Sequence, residues 1–366
     1  MIRVFVVDDS VVVRQIVSDA LRSDPALEIC GVASNGRVAL EKIPETKPDV
    51  VTLDIEMPEM DGLTTLSELR KTHPRLPVIM FSTLTERGAS ATLEALARGA
   101  SDYVCKPSGQ RNVQQTMETI RDQLIPKLHA FAGYKTGIAA RKAAAVISGG
   151  QSISVPHRPV GVVVIAVSTG GPAALAEVIP HLPAGLRQPV LVVQHMPPVF
   201  TKVLAQRLGS SCPLKVREAA HQDPLVKGQV LIAPGDYHMR IAGSPREAWV
   251  TLDQQPSENG CRPAADPLFT SAAQTFGASV LGIVMTGLGK DGTKGAAQIR
   301  KASGQVWAQD EASSTIWSMP GSVVEAGLAQ RVLPLQQIAR MIAQACAAGG
   351  GGPESTDPKA TKKKAL

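Results

Sequence analysis

Aromatic side chains make up only 3% of the 366 residues. That is too few for the stacking platforms that hold single-stranded nucleic acids. Lys and Arg outnumber Asp and Glu by 38 to 32, a net charge of +6. The surplus is dispersed, part of it in the closing KATKKKAL, and there is no recognisable recognition module, so nucleic acid is not expected as a partner. No apolar run approaches the roughly 18 residues that cross a bilayer, and the N-terminus reads as a charged strand rather than a signal peptide. No membrane insertion is expected, and the expected location is the cytoplasm. The five cysteines (Cys30, Cys105, Cys212, Cys261, Cys346) are scattered, without CxxC or Cys/His clustering. Free thiols and no zinc site are expected. There is no internal repeat.

What is present is rhythm. The length suggests two domains. Over residues 1–122, apolar strand-like runs at 2–7, 28–32, 49–53, 77–81 and 101–104 alternate with helical patterns such as Val11–Leu21 and Thr64–Leu69. This predicts a parallel sheet covered on both faces, with its working site beyond the strands' carboxyl ends. Those ends carry Asp8-Asp9, Asp54, Ser82 and Lys106. Three carboxylates brought together repel, and a divalent cation offsets the repulsion; oxygen ligands suit Mg²⁺. The hydroxyl and ammonium suit a phosphoryl group placed on one carboxylate. Residues 123–159, rich in Ala, Gly, Ser and basic residues, read as an interdomain linker, in which IPKLHAF suits a continuation of the last receiver helix and 138–147 a short helical stretch. The tail from 347 to 366 reads as disordered.

Residues 160–346 alternate again, predicting a doubly wound, mostly parallel α/β domain. Strands are expected at 160–166, 189–193, 229–233, 248–252, 279–285 and 304–308. Helices are expected at 172–180, 199–208, 266–276, 291–301 and 334–345, with a hairpin-like insertion near 235–252. The run VVVIAVSTGGP places Ser168 on a tight strand-to-helix turn beside outward-pointing backbone N–H groups. A serine needs a base and the base an orienting carboxylate. His195 directly follows the buried run PVLVVQ, and Asp291 lies in TGLGKDG after SVLGIVM. All three therefore stand at strand ends of one sheet. His238 is the main competitor for the base. Asp291 also suits a helix N-cap, and Thr169 suits either a cap or a donor near the reacting centre. A rival reading, a phosphate cradle at STGG or TGLGKDG, leaves His195 without a task. A binding-only output is another rival.

Two resemblances are specific. VVDDS, TLDIEMPEMDGL, MFST and DYVCKP resemble the response-regulator receiver domain, a flavodoxin-like five-stranded fold. The resemblance implies Asp54 as the phosphoacceptor. It implies Mg²⁺ held by Asp9, Asp54, the Glu56 carbonyl and Asp8 through water. Ser82 and Lys106 would bind the phosphoryl oxygens, and Tyr103 matches a switch aromatic, against the plainer reading of a half-buried ring. STGGP, QHMP, IAPGDYH, RPAADPLF, MTGLGKDG and QDEASSTIWSMP resemble the catalytic domain of chemotaxis protein-glutamate methylesterases. That implies a Ser168–His195–Asp291 triad with no cofactor for the hydrolysis. Thr169 and the Leu288 backbone would serve the oxyanion. The implied partners are methyl-accepting chemoreceptors as substrates and a chemotaxis histidine kinase as phosphodonor, with deamidation of receptor glutamines as a second activity. The chain departs from the family's usual pattern at Ala166-Val167, where smaller residues are common, and at Leu288, where Met is common. The pairing suggests that an unphosphorylated receiver covers the catalytic edge.

Overall fold

The computed structural model describes residues 1–106, 113–141 and 159–347, with side chains for 1–106, 117–132 and 159–347. The first unit alternates β1 (Ile2–Val7), α1 (Val11–Arg22), β2 (Leu27–Ala33), α2 (Gly36–Thr46), β3 (Val50–Asp54), α3 (Gly62–Thr72), β4 (Val78–Ser82), α4 (Glu86–Ala97), β5 (Asp102–Cys105) and α5 (Val113–Arg141). Its strands pair in parallel in the order β2-β1-β3-β4-β5. The helices begin where short polar side chains cap them. Ser10, Asn35, Asp61 and Thr85 each accept the backbone N–H three residues on. β3 and β4 are buried throughout, as expected for central strands of a sheet covered on both sides.

The second unit contains β6 (Val162–Val167), α6 (Gly171–Val178), β7 (Val190–Gln194), α7 (Phe200–Gly209), β8 (Lys215–Glu218), β9 (Gln229–Ile232), β10 (His238–Gly243), β11 (Ala248–Asp253), α8 (Ala265–Phe276), β12 (Val280–Val284), α9 (Thr293–Lys301), β13 (Gln305–Gln309), α10 (Ser318–Glu325), β14 (Arg331–Leu333) and α11 (Leu335–Ala347). Seven strands form one parallel sheet, ordered β14-β13-β12-β6-β7-β9-β8. The expected insertion is the antiparallel hairpin β10-β11, apart from that sheet. From β6 the chain winds outward to β7 and β9, then returns to β12 on the other side. The crevice at that switch, beyond the ends of β6, β7 and β12, is where such sheets bind ligands.

Three elements escaped the sequence pattern. β8 (KVRE) and β14 (RVL) are the sheet's edges, short and charged, which blunts an edge but removes the apolar run that marks a strand. α10 carries Pro320 and Gly321 in its first turns, residues that read as a loop. Among the described residues, no helix is long and apolar enough to cross a membrane.

At the start of the expected linker the receiver helix continues through IPKLHAF and beyond it. α5 does not stop near 122 but continues through 123–141. Ile120, Leu124, Leu128, Phe131 and Ala132 are buried, and the first four join the receiver core around Val4, Val6 and Leu21. Their spacing of three and four residues is an amphipathic stripe. Lys127 and His129 tie the same helix to Asp102 and Asp24, both at short range (2.7 and 2.6 Å). Residues 142–158, and 348–366 of the expected tail, lie outside the described residues, while Ala347 ends α11.

Packing along 120–132 gives a direct test. Leu124→Ala removes a fully buried side chain and is expected to cost the receiver about 2–5 kcal/mol, read as a lower denaturant midpoint of its unfolding transition. An unchanged midpoint would return this stretch to the role of a connector.

Candidate active site

The receiver pocket is built from strand ends. Carboxylate oxygens of Asp8, Asp9 and Asp54 all lie within 4.8 Å of one another. Lys106 reaches in from the end of β5, its Nζ 2.9 Å from Asp8 Oδ2 and 2.7 Å from Asp54 Oδ2. Those two buried oxygens have no hydrogen bond of normal geometry and face the ammonium alone. One ammonium against three carboxylates leaves excess negative charge on hard oxygen donors, which fits a Mg²⁺ ion. Burial, reinforced by the Asp8 charge, raises Asp54 to a pKa of about 6, against the pull of Lys106 and the Glu56 N–H. Glu56 lines the same pocket while its carboxylate turns to Arg87, 3.6 Å away. Ser82 points elsewhere: its hydroxyl donates to the Gly88 carbonyl (3.1 Å), so it must rotate to meet a phosphoryl oxygen.

In the second unit, register brings the other set together. Val167 pairs with Gln194 and Ala166 with Val284. Ser168 and His195 are thus the next residues along β6 and β7, and the loop after β12 lies on Ser168's other side. Gly287 makes this fit: a Cβ there would stand 2.8 Å from Ser168 Cβ and 2.3 Å from Met319 Sδ. The nucleophile turn is pinned on both flanks. Ser168 N–H donates to the Thr286 carbonyl (3.0 Å), and Gln194 Nε2 donates to the Ser168 carbonyl (3.1 Å). Gly170 adopts φ +76°, a conformation favouring glycine, and a Cβ there would strike Thr315. Val167 is accommodated because Gly171 presents no side chain against it.

Asp291 is nearly inaccessible and accepts five hydrogen bonds. Oδ2 takes His195 Nε2 (2.7 Å) and the Ala265 N–H (2.6 Å). Oδ1 takes Asn259 Nδ2 (2.9 Å) and the N–H groups of Asp266 (3.2 Å) and Gly292 (2.9 Å). Its side chain therefore sits at the start of α8, where the helix dipole favours an anion, while the cap of α9 is Gly292. Burial works against its charge, but the His195 contact and these N–H groups outweigh it and hold the carboxyl below its ordinary value. His195 is opposed by burial and supported by Asp291 and Cys261, with a net rise in proton affinity. The spacing Gly287-x-Gly289-x-x-Gly292 also matches a dinucleotide loop. Here, however, the carboxylate bonded to the Gly292 N–H is where a pyrophosphate would sit, and it would repel one.

Other expectations resolve differently. His238 is fully buried at the start of β10, with Nε2 at the Pro256 carbonyl and Nδ1 accepting from the Ala264 N–H, so it is committed to backbone. Among the described residues, no hydrogen bond joins Ser168 Oγ to His195; the partner of Nδ1 is Cys261 Sγ, at 3.4 Å. Thr169 does not cap α6, and among the described residues no hydrogen bond joins it to His195. Its hydroxyl donates to Asp102 Oδ2 of the receiver (2.9 Å), which also meets Lys127 Nζ (2.7 Å). Tyr103 is buried rather than half-buried, and its ring stacks on Phe200 of α7, 5.1 Å between centroids and 8° between planes.

These contacts belong to an interface between the two units. α4 packs on α6 and α7, with ion pairs Glu86–Lys202 (3.2 Å) and Glu94–Arg207 (3.1 Å) at its margin. Ile316 and Leu288, from loops beside Ser168, pack into the receiver core with Phe81 and Val104. The sequence pattern missed Asp102, Phe200, Asn259 and Cys261. Each is unremarkable in its own segment and acquires a partner only through the fold.

Comparison with known proteins follows the same division. A family model described as CheB methylesterase matches residues 163–342, and one described as response regulator receiver domain matches residues 4–118. The chain is 46% identical to a protein-glutamate methylesterase/protein-glutamine glutaminase of Trichodesmium erythraeum, over 93% of this chain and 97% of that one. It is 49% identical to a protein of the same description from Nocardioides, over 92% and 93%. The crystal structure of the Thermotoga maritima CheB methylesterase catalytic domain is 40% identical, with a TM-score of 0.50, covering 51% of this chain and 99% of that one. Matched in both units and along nearly the whole length of these relatives, the chain belongs to the CheB methylesterase family, in the form that carries an N-terminal response-regulator receiver domain.

Proposed function

We propose that this protein hydrolyses glutamate γ-methyl esters on the cytoplasmic helices of chemoreceptors and deamidates glutamines there, under control of phosphorylation at Asp54. The observation that carries the reading is the His195 Nε2–Asp291 Oδ2 contact of 2.7 Å, at the end of the neighbouring strand and level with Ser168 in register. Because Asp291 occupies Nε2, Nδ1 is the nitrogen that takes the Ser168 proton as the hydroxyl attacks the ester carbonyl. Asp291 then stabilises the imidazolium. The Ser168 and Gly171 N–H groups are already bonded. The oxyanion therefore falls to the N–H groups of Thr169, Gly170 and Leu288. Methanol leaves with the proton from Nδ1. A water, deprotonated at the same nitrogen, then frees the glutamate from Ser168. An amide substrate follows the same course with ammonia as the leaving group.

In the receiver, Asp8, Asp9 and Asp54, with the Glu56 carbonyl, would hold Mg²⁺. When bound, the ion shields the charge of an incoming phosphoryl group. The Asp54 carboxylate is the acceptor, the phosphodonor is a histidine kinase, and Lys106 and a rotated Ser82 hold the product oxygens. Rotation of Ser82 withdraws its bond from Gly88 at the start of α4, the helix that packs on α6 and α7. Phosphorylation thereby loosens the interface that holds Thr169 and Tyr103.

Asp291→Asn is expected to lower kcat for release of methanol by roughly 10³–10⁴-fold. In the wild type the rate should rise with pH, because only neutral His195 accepts a proton. The rising limb should lie above the ordinary histidine value of about 6.5, and a limb below it would contradict the assignment of His195. A small-molecule phosphodonor should accelerate the wild type and leave Asp54→Ala unchanged; equal rates in the two would remove the regulatory reading. Mg²⁺ should raise the melting temperature of the wild type at pH 8 but not that of Asp54→Ala. As Asp54 takes up a proton below about 6, apparent Mg²⁺ affinity should fall by roughly tenfold per pH unit. A pH-independent affinity would move the ion elsewhere.

A further inference from the structure

Ser168 is not the sole nucleophile facing His195. Cys261, in the loop between β11 and α8, places Sγ 3.4 Å from Nδ1, while Asp291 holds Nε2 at 2.7 Å. Thiol, imidazole and carboxylate stand in the order that activates a nucleophile: a group to be deprotonated, a base, and an orienting anion. The thiol occupies the nitrogen that Ser168 needs.

This placement is held firmly. Glu258 and Cys261 exchange backbone hydrogen bonds of 3.1 and 2.9 Å. Between them in sequence, Asn259 bridges Asp291 and Asp266 at 2.9 and 3.0 Å. Arg262, the next residue, is fixed to Asp236 at 2.6 Å. The loop that carries the thiol is thus bonded to the same carboxylate that orients the base. Of the other cysteines, Cys30 and Cys212 donate to the carbonyls of Val4 and Ile179 (3.5 and 3.2 Å), and Cys346 is buried. Cys261 is partly exposed and has a base within reach.

We propose that Cys261 is a hydroperoxide-sensitive site that shares its base with Ser168, so that oxidising the thiol stops ester hydrolysis. The thiol proton passes to Nδ1. The sulfur attacks the outer oxygen of the hydroperoxide; an S–O bond forms as the O–O bond breaks. Sulfur is oxidised by two electrons, the peroxide is reduced, and the departing oxygen takes the proton from Nδ1 to leave as water or alcohol. The resulting sulfenic acid stays against His195 and bars it from Ser168. An added thiol reverses the change in two steps. It displaces water to form a mixed disulfide, and a second equivalent displaces the Cys261 thiolate.

The proposal rests on His195 being the base for Ser168, and the test separates the two. The full chain is treated with hydrogen peroxide, sulfenic acid is trapped with dimedone, and peptides are read by mass spectrometry. Hydrolysis of methylated receptor is followed before treatment, after it, and after dithiothreitol. Cys261 should be labelled in preference to Cys30, Cys105, Cys212 and Cys346. Activity should fall at least tenfold in step with the label and return with the reductant. Cys261→Ser and Cys261→Ala, each compared with itself untreated, should lose less than twofold. Should either variant fail to fold, the wild-type time courses of label and activity decide alone. An unlabelled Cys261, activity that survives full labelling, or equal inhibition of the variants would overturn the proposal. His195→Ala distinguishes the causes. If it still hydrolyses ester, the reading of the base has failed; if it is inactive while the wild type is insensitive to peroxide, only the shared-base proposal has failed.

Discussion

The Asp291 carboxylate is the point on which the second domain's site depends. A buried carboxylate is costly unless each oxygen is satisfied, and here five donors from four segments converge on it: His195 beyond β7, Asn259 in the loop before α8, the first turn of α8, and the adjacent Gly292. Each donor is thereby fixed relative to the others. The anion orients the imidazole, anchors a helix start and ties down the loop bearing Cys261. A position that from sequence suits a helix cap is indeed capping a helix, but α8 instead of the α9 that follows it.

That outcome marks where sequence stops being informative. Strand ends are legible because buried parallel strands are continuous apolar runs with abrupt polar ends, as at Val167-Ser168, Gln194-His195 and Leu53-Asp54. Once the sheet is parallel, register brings those ends together with little further information. Side-chain direction is not legible in the same way. Nothing around Asp291 announces Ala265 as its partner, and nothing in SENGCRP announces His195. Contacts between domains are the least legible. Thr169 reads as a local cap until Asp102, 67 residues earlier, arrives to take its hydroxyl. The Ile120–Leu124–Leu128 stripe, packed as core, makes IPKLHAF legible as helix, while the continuation of α5 from 132 to 141 is hidden by an Ala, Lys and Gly content that imitates a linker.

The interface lies between two sites with opposite electrostatic demands. The receiver pocket concentrates negative charge and keeps it tense, with Asp54 raised by burial. The esterase edge concentrates donors around one anion. Between them lie a stacked pair of rings, a small apolar patch around Ile316 and Leu288, and marginal ion pairs that water screens well. In the proposed cycle a shift in α4 acts on this surface, where the ring pair is buried and the ion pairs lie at the margin.

Asp102 shows why such parting need not be ruinous. Its charge is matched by Lys127 within its own domain, 2.7 Å away, and Thr169 adds only a neutral hydroxyl from across the boundary. Separation would leave behind an intact ion pair on one face and a threonine on the other, both content in water. A joint made this way can be broken and remade repeatedly without exposing a bare charge, which is the material requirement for a reversible hinge as opposed to a permanent weld.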